Sequence, residues 1–518
     1  MSPGPQSLAL RRTTKLNLRS DAQVSQPRLV PSSNHADVRD PVLVMKFGGT
    51  SVADAACIRN VVQIVAKAAT RNRVVVVVSA MSGVTNKLVE AGVLSEAGDR
   101  ASASAILDGL RRQHLTTIDV LISPGVRRNT LTGNIVELFD YCDRLCQGTA
   151  LLGELTPRTR DAIWSLGERL SAPILAASLE ESGVASEMVE ATDVVVTDSR
   201  HGEADPLMDM TRERCETRLR PLLEQNVIPV TTGFIGATAE GVLTTLGRGG
   251  SDYSATIIGA ALRADEVIIW TDVDGVLTAD PSHVRGARTI PEMSYREAAE
   301  HAHFGAKVLH PKTLRALMQC KFPLRVRNTF APGRLGTKIT PEGSLKSKGV
   351  KAITAMSNVS MITVGGPGIA EVHDVLGRTF ARTAAIRTDV MLTSHSSSQN
   401  EVCLIVPSAH AQRTAEALRE EFARDLPYNK AEHVQVNSNV AIVTLIGQNM
   451  RSLSGIVGQT FGALDRNKLN VIASAQGSSD CNISFVVHQK DVKAALSATH
   501  REFKLGKVKT SRSSRKKS

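Results

Sequence analysis

Three short segments of this 518-residue sequence set glycines beside charged and hydroxyl side chains in a pattern suited to anions. In Lys46-Phe47-Gly48-Gly49-Thr50-Ser51 the paired glycines let backbone approach a phosphate, the hydroxyls offer hydrogen bonds and a helix N-cap, and Lys46 adds a full charge. It is no Walker A loop, since Gly-x4-Gly-Lys-Ser/Thr is absent, and taken alone it reads as a structural turn. In Gly247-Arg248-Gly249-Gly250-Ser251-Asp252 three glycines surround one arginine and precede one acid. That composition serves no obvious packing purpose, whereas backbone amides and a guanidinium converging on anionic groups would use it. The third segment, Thr271-Asp272-Val273-Asp274-Gly275, is either an Asp-Gly turn or the lining of a nucleotide pocket.

These loops need a scaffold that brings them together. Val42 to Lys46, Val74 to Ser79, Val227 to Thr232 and Glu266 to Thr271 read as buried strands, with helical stretches between them. Strands alternating with helices predict an α/β domain with a largely parallel sheet, whose ligands bind at the carboxyl ends of strands. All three loops fall just there. Residues 86–185 are mainly helical in pattern, broken at Ser123-Pro124-Gly125. Pro332-Gly333 and Thr340-Pro341-Glu342-Gly343, followed by Lys346, Lys348 and Lys351, mark a turn-rich, charged connection near 341–352.

Beyond it the chain repeats itself at an offset of 81 residues. Gly366 falls on Gly447, Gly377 on Gly458, Thr379-Phe380 on Thr460-Phe461, Val390 on Val471, Ser397-Ser398 on Ser478-Ser479, and Val406 on Val487. Each copy reads strand, Gly-containing loop, helix, strand, Ser-rich turn, strand.

Composition narrows the classes. Hydrophobic residues at 42% and charged residues at 22% describe a soluble globular protein of several domains. The net charge of +11 sits at the ends: residues 1–40 carry six Lys or Arg against three Asp, and 501–518 eight against one Glu. With aromatics at 3% there is no stacking platform for bases, so neither nucleic acid nor a membrane is an expected partner. No apolar run approaches the roughly 18–20 residues that span a bilayer. Seven scattered cysteines predict a reducing, cytoplasmic setting, and Cys142 and Cys146, four apart on one helix face, read as core packing. Residues 1–36, with five Arg or Lys and Asp21 as the one acid, imitate an organellar transit peptide, although a plain disordered extension has the same composition.

The three loops, together with Ser79-Ala80-Met81-Ser82-Gly83-Val84-Thr85-Asn86, Trp164-Ser165-Leu166-Gly167-Glu168 and Phe304-Gly305-Ala306-Lys307-Val308-Leu309-His310-Pro311, resemble the aspartate kinases of the amino-acid kinase family. The repeat resembles that family's tandem ACT domains, most plainly in Gly447-Gln448-Asn449-Met450-Arg451-Ser452 and Ala475-Gln476-Gly477-Ser478-Ser479. The implied fold is α/β: a kinase domain over 41–340, with a largely parallel sheet sandwiched by helices, then a linker over 341–352. Two ferredoxin-like α+β ACT units over 353–431 and 432–500 follow, between a basic extension over 1–40 and a basic tail over 501–518. The implied reaction moves the ATP γ-phosphoryl group onto the side-chain carboxylate of L-aspartate, the entry step to lysine, threonine and methionine.

By that resemblance Lys46 stabilises the transferred phosphoryl group and Asp252 holds the lysine. Arg248 clamps the α-carboxylate of aspartate in a bidentate geometry that lysine could not copy. Glu168 takes the α-ammonium, and Ser79, Thr85 and Ser251 hydrogen-bond substrate or phosphate. For ATP the pattern indicates Lys46, Gly48, Gly49, Thr271, Asp272, Lys307 and Val308, with Mg2+ bridging the phosphates and no metal held by the protein alone. Leu277 and Ser282 stand where many members place Tyr and Arg. Asp389, Thr393 and Ser394 stand where lysine-sensing members bind effector, while Ser396-Ser397-Ser398 and Gln476 look like the threonine-sensing branch. His395 replaces a glutamine frequent there. An amino-acid effector, lysine or threonine, and a homodimer or higher oligomer formed through the ACT units are implied. Since the chain stops soon after the second repeat, a monofunctional enzyme without a dehydrogenase domain is expected. His301, His303 and His310 are expected to cap helices or sit at the surface.

Two other readings remain open on the residues. A related kinase acting on glutamate, carbamate or UMP is disfavoured by the Glu168 and Arg248 segments and the repeat. An inert effector-binding subunit is disfavoured by intact Lys46, Arg248 and Asp252, while Leu277 and Ser282 keep it alive.

Overall fold

Side chains of a strand alternate between its two faces, so a strand apolar on both must have a layer of protein on each side. In β1 (Val42–Phe47) and β2 (Arg73–Val78), Val42, Val44, Val75 and Val77 enter one apolar cluster. Met45, Phe47, Val74, Val76 and Val78 enter another on the opposite face. The sheet therefore lies between two helical layers. This computed structural model describes residues 41–305, 308–344, 349–365, 372–396, 401–423, 434–477 and 480–506.

The remaining strands of the first domain are β3 (Ser186–Val189), β4 (Ile228–Thr232), β5 (Ile235–Ala237), β6 (Leu243–Thr245), β7 (Glu266–Thr271), β8 (Glu292–Ser294), β9 (Leu324–Asn328) and β10 (Thr337–Thr340). Eight strands form one sheet in the order β3-β4-β2-β1-β7-β9-β10-β8, parallel from β3 through β9. β5 and β6 make a separate hairpin. The helices are α1 (Ala55–Ala69), α2 (Val84–Glu96), α3 (Arg100–Leu121), α4 (Val126–Leu152), α5 (Pro157–Trp164) and α6 (Leu166–Glu181). They continue with α7 (Met208–Arg218), α8 (Arg220–Glu224), α9 (Gly250–Leu262), α10 (Tyr295–His303) and α11 (Pro311–Cys320). Helix α9 is buried almost all round, as an apolar sequence such as Ala255 to Leu262 requires. Cys142 and Cys146 are buried as free thiols in the core beneath α4.

The second domain comprises β11 (Gly349–Val364), β12 (Leu392–Ser396), β13 (Glu401–Pro407), β14 (Val434–Gln448), β15 (Ala473–Ala475) and β16 (Asn482–His488). With them come α12 (Val372–Ala385), α13 (Ser408–Glu421), α14 (Ile456–Arg466) and α15 (Val492–Glu502). The repeat is visible in the bounds: β13 shifted by 81 residues lands on β16. Both copies share one six-stranded sheet, β12-β13-β11-β14-β16-β15. β11 pairs antiparallel with β14 along nearly its whole length, so each copy lends the first half of its long strand to its sister.

Two expectations shift here. The border expected at 352/353 falls inside β11, and α15 runs two residues into the expected tail. Lys351, which the sequence places in a turn-rich, charged connection, is buried with its Nζ 2.9 Å from the buried Glu297 of the first domain. Removing one partner of a buried ion pair costs about 3–5 kcal/mol, because the other charge is stranded. Lys351→Met should lower the denaturation midpoint accordingly, and adding Glu297→Gln, which keeps the amide-accepting oxygen at Ser294, should recover part of the loss. Equal stability of Lys351→Met and wild type would show that the pair contributes nothing.

Candidate active site

The carboxyl ends of β1, β2, β4 and β7 open into a cleft of about 950 Å³. It gathers Lys46, Gly48, Gly49, Ser79, Thr85, Glu168, Arg248, Ser251, Asp252, Thr271, Asp272 and Val308 from six segments of the chain. Lys307 lies outside the described residues.

Lys46 follows Val42 and Val44 on the face of β1 that α9 covers, so its side chain meets the start of that helix. Its Nζ lies 2.6 Å from Asp252 Oδ1, with both side chains mostly buried. Asp252 sits in the first turn of α9, where the helix dipole favours an anion. No side chain caps α9: Gly249 takes that position at φ +70°. A Cβ on Gly249 would also lie 2.4 Å from that of His310, so neither the backbone angle nor the space admits another residue. His310 itself caps α11. Burial holds its ring below the usual histidine range.

Helix α1 departs from the expectation of a cap inside the first loop. Residues Gly49–Val52 form a single 3-10 turn, and Asp54 caps α1 by accepting from the Cys57 amide. Ser51 turns inward to Thr329, 2.7 Å away. The Gly48 amide already donates to the Trp270 carbonyl at 3.1 Å, so the anion-binding capacity of this loop rests on Lys46 and on the close backbone approach that Gly48 and Gly49 allow. Gly49 passes so close to Ala80 that a Cβ would stand 2.9 Å from its carbonyl oxygen.

Glu168, in the first turn of α6, is buried under the cleft floor. Its carboxylate accepts from the Ala80 amide and its own, and from Ser251 Oγ at 3.3 Å. Its second oxygen has no hydrogen-bond partner among the described residues. Burial pushes the carboxyl up to about 7, against those amides and the more distant Lys46. Arg248, by contrast, is exposed and forms no ion pair among the described residues. Thr85 is the second residue of α2, whose N-cap is Gly83, so its hydroxyl is not spent on capping. Thr271 donates to Asp272 at 3.2 Å at the cleft mouth.

Several lining residues escaped the sequence reading. Arg160 stands over the Trp164 ring at 5.0 Å, adding a third cation to the cleft. The buried Asp161 accepts from His201 at 2.8 Å, the Gly202 amide at 3.0 Å and Thr245 Oγ1 at 2.7 Å. It ties the 201–203 loop to the strand that leads into Gly247. The only signal was Arg160-Asp161 standing one turn before the Trp164–Glu168 segment on a short helix.

At the far end, Leu277 bridges Thr289 across a hairpin. Ser282 is spent on Asp280, which accepts from its amide at 2.8 Å and its hydroxyl at 2.5 Å. His301 is buried beside that hairpin, and burial drops its ring to about 4, so it is neutral at physiological pH. In the second domain Asp389 is exposed before β12, Thr393 and Ser394 lie on β12, and Gln476 is exposed just after β15. These two edge strands approach each other over a shared cluster of Leu392, Val440, Ile442 and Val486. Residues 397–400 and 478–479 of the Ser-rich turns lie outside the described residues.

Among the described residues no three His, Cys, Asp or Glu side chains group to hold a metal ion, and no helix is long and apolar enough to cross a membrane.

Residues 41–328 match the amino acid kinase family and 443–503 an ACT domain. The chain is 33% identical to the bifunctional aspartokinase/homoserine dehydrogenase 1, chloroplastic, of Arabidopsis thaliana, over 92% of this chain and 52% of that one. It thus spans about half the length of such relatives. It is 32% identical to aspartokinase 1, chloroplastic, of the same plant, over 93% and 83% of the two chains. The solved structure of E. coli aspartokinase III in complex with aspartate and ADP superposes with a TM-score of 0.75 at 31% identity, over 89% of this chain and 99% of that one. The same enzyme in complex with lysine and aspartate superposes at 0.71.

Proposed function

Because this chain belongs to the amino acid kinase family, as one of its aspartokinases, we propose that it transfers the γ-phosphoryl group of ATP to the β-carboxylate of L-aspartate, giving 4-phospho-L-aspartate. The observation that carries this reading is the pairing, in one cleft, of a cationic phosphate corner at Lys46 and Asp252 with a buried carboxylate, Glu168, that lacks a cation of its own. A phosphate corner alone suits any kinase. A buried acid in the same cleft as Arg248 suits an acceptor with an ammonium and a carboxylate on one carbon.

The acceptor carboxylate is ionised at neutral pH and needs no general base. Its oxygen attacks the γ-phosphorus, the bond from that phosphorus to the β–γ bridging oxygen breaks, and ADP leaves. The barrier lies in bringing two anions together and neutralising the charge that spreads over the transferred group. Lys46 meets that charge, Gly48 and Gly49 let the phosphates approach without a side chain in the way, and Arg248 and Glu168 hold the two ends of the α-carbon. Ser79, Thr85 and Ser251 supply hydrogen bonds around them, Thr271, Asp272 and Val308 line the way to the nucleoside, and Lys307 is assigned to ATP by the family pattern alone. Mg2+ would be held through the phosphates and screen their charge, which fits a cleft whose acids are a buried Glu168, an ion-paired Asp252, and Glu203 and Asp272 at its exposed edge.

The second domain serves as the sensor of an amino-acid end product, lysine or threonine, through Asp389, Thr393, Ser394 and Gln476, and as the contact of a homodimer. The product enters the synthesis of lysine, threonine and methionine in a reducing compartment.

Trapping acyl phosphate as a hydroxamate tests this directly. With saturating MgATP, aspartate should give signal well above that from glutamate or from no acceptor, and lysine or threonine should reduce it. No hydroxamate from aspartate sinks the kinase reading; inhibition by neither amino acid sinks only the sensor.

A further inference from the structure

Arg160, Trp164 and Glu168 follow at four-residue steps along α5 and the start of α6, and Ser165 between the two helices keeps helical backbone angles. They therefore share one wall of the cleft, which runs from the buried Glu168 to the half-buried Arg160. Among the described residues Arg160 is a cation without an anion: its Nε is buried with no hydrogen-bond partner, and its guanidinium forms no ion pair. The acid beside it in sequence does not serve, because Asp161 is committed to His201, the Gly202 amide and Thr245.

The guanidinium is nevertheless held in place. It lies over the Trp164 ring at 5.0 Å, and a Cβ on Gly202 would stand 2.7 Å from its Nη2, so it rests against bare backbone of the 201–203 loop. The same loop reaches the segment of Arg248. A Cβ on Gly247 would stand 2.9 Å from the Gly202 carbonyl oxygen, so the two backbones touch. Asp161 fixes this junction by accepting from Gly202 and from Thr245, the last residue of β6, the strand that leads to Gly247. Arg160 and Arg248 thus flank one contact between two glycines, in the cleft that holds the buried Glu168.

A zwitterion with its ammonium at Glu168 carries a carboxylate on the same carbon. Arg248 is exposed, so the pairing it offers is screened by water and must order a free side chain. Arg160 has already lost that freedom and part of its hydration. A carboxylate offers about four acceptor sites and one bidentate fork takes about two of them, which leaves room for a second guanidinium. We propose that Arg160 is a second binding residue for the α-carboxylate of the acceptor, stacked in advance on Trp164, and that it sets the preference for amino acids whose α-carboxylate is free. The proposal rests on the kinase reading of the cleft.

The test compares full-length wild type, Arg160→Gln and Arg160→Lys in the hydroxamate assay, with aspartate and with L-aspartic acid α-amide as acceptors. The amide keeps the ammonium and the reacting carboxylate and lacks the α-carboxylate. Melting curves confirm folding, and Arg160→Lys carries the comparison alone if the glutamine variant does not fold. In Arg160→Gln the KM for aspartate should rise about tenfold or more, the scale of one hydrogen bond to a charge, with kcat and the KM for MgATP within about twofold of wild type. Arg160→Lys should still show a rise of about threefold or more, since an ammonium has neither the fork nor the flat face that Trp164 carries. For the amide, kcat/KM should stay within about twofold of wild type in both variants. A KM for aspartate within about twofold of wild type in the folded variants, an equal loss for aspartate and the amide, or a wild type that takes the amide as readily as aspartate overturns the proposal. Each of those results leaves the kinase reading intact if the wild type makes hydroxamate from aspartate.

Discussion

Lys46→Ala should lower kcat by roughly 10³- to 10⁵-fold with a much smaller change in the apparent affinity for aspartate, the scale seen when a cation that meets transferred-phosphoryl charge is removed. The lysine is committed before substrate arrives. Its Nζ is held 2.6 Å from Asp252 Oδ1 in a mostly buried pair, so it pays little ordering entropy when the phosphoryl group comes to it. Asp252→Ala should therefore lose a comparable factor, by releasing the lysine and leaving its charge unpaired near the cleft floor. Because both act through one ion pair, the double variant should be hardly worse than either single one. Lys46→Arg should not rescue, since a planar guanidinium cannot occupy the compact position of an ammonium against α9. The measurement is the hydroxamate rate at saturating substrates. Independent, multiplying losses in the double variant would show that the two residues do not form a catalytic unit.

Much of this scaffold is legible in the sequence because the forces that build it are local or periodic. Val42, Val44, Val75 and Val77 on one face and Met45, Val74, Val76 and Val78 on the other announce a strand covered on both sides, and both clusters exist. The 81-residue offset likewise survives as β13 over β16. What stays hidden is partnership. Nothing in the periodicity of β11 says that its first half pairs with β14 of the sister repeat. Lys351 shows the same limit: in a row of lysines it looks solvated, and only the fold brings Glu297 beneath it. Within the site, Lys46, Arg248 and Asp252 stand out because each belongs to a short glycine-containing segment, and glycine and charge together are unusual. Arg160, Asp161 and His201 do not, since an ordinary helix and an ordinary turn supply them and their meeting is purely tertiary. The Asp54 cap is not legible because Thr50 and Ser51 are equally good capping residues by type, and the sequence does not show the 3-10 turn that places them ahead of the helix.

Glu168→Gln should separate stability from function at a single buried atom pair. In the substrate-free protein, burial holds the Glu168 carboxyl at about 7 against an ordinary 4.5, and one of its oxygens has no partner. If the α-ammonium of aspartate is the missing partner, binding selects the ionised carboxylate. Below pH 7 the acceptor must then expel a proton, so kcat/KM for aspartate should drop about tenfold per pH unit while kcat at saturation changes little. Glu168→Gln cannot form the ion pair. It should lose on the order of 10²- to 10³-fold in kcat/KM for aspartate, the scale of an unpaired buried charge, and should lose the acid limb with it. Stability moves the other way. A carboxyl whose folded value is raised binds more protons folded than unfolded between about 4.5 and 7, so its contribution falls as pH rises through that window and the ionised group is a liability above it. Glu168→Gln should therefore be more stable than wild type at pH 8, by about 2–3 kcal/mol, with the difference fading toward pH 5. A residue kept only for packing would give no such gain, whereas one kept for an absent cation would. If Glu168→Gln keeps the wild-type KM for aspartate and its acid limb, the ammonium is held elsewhere.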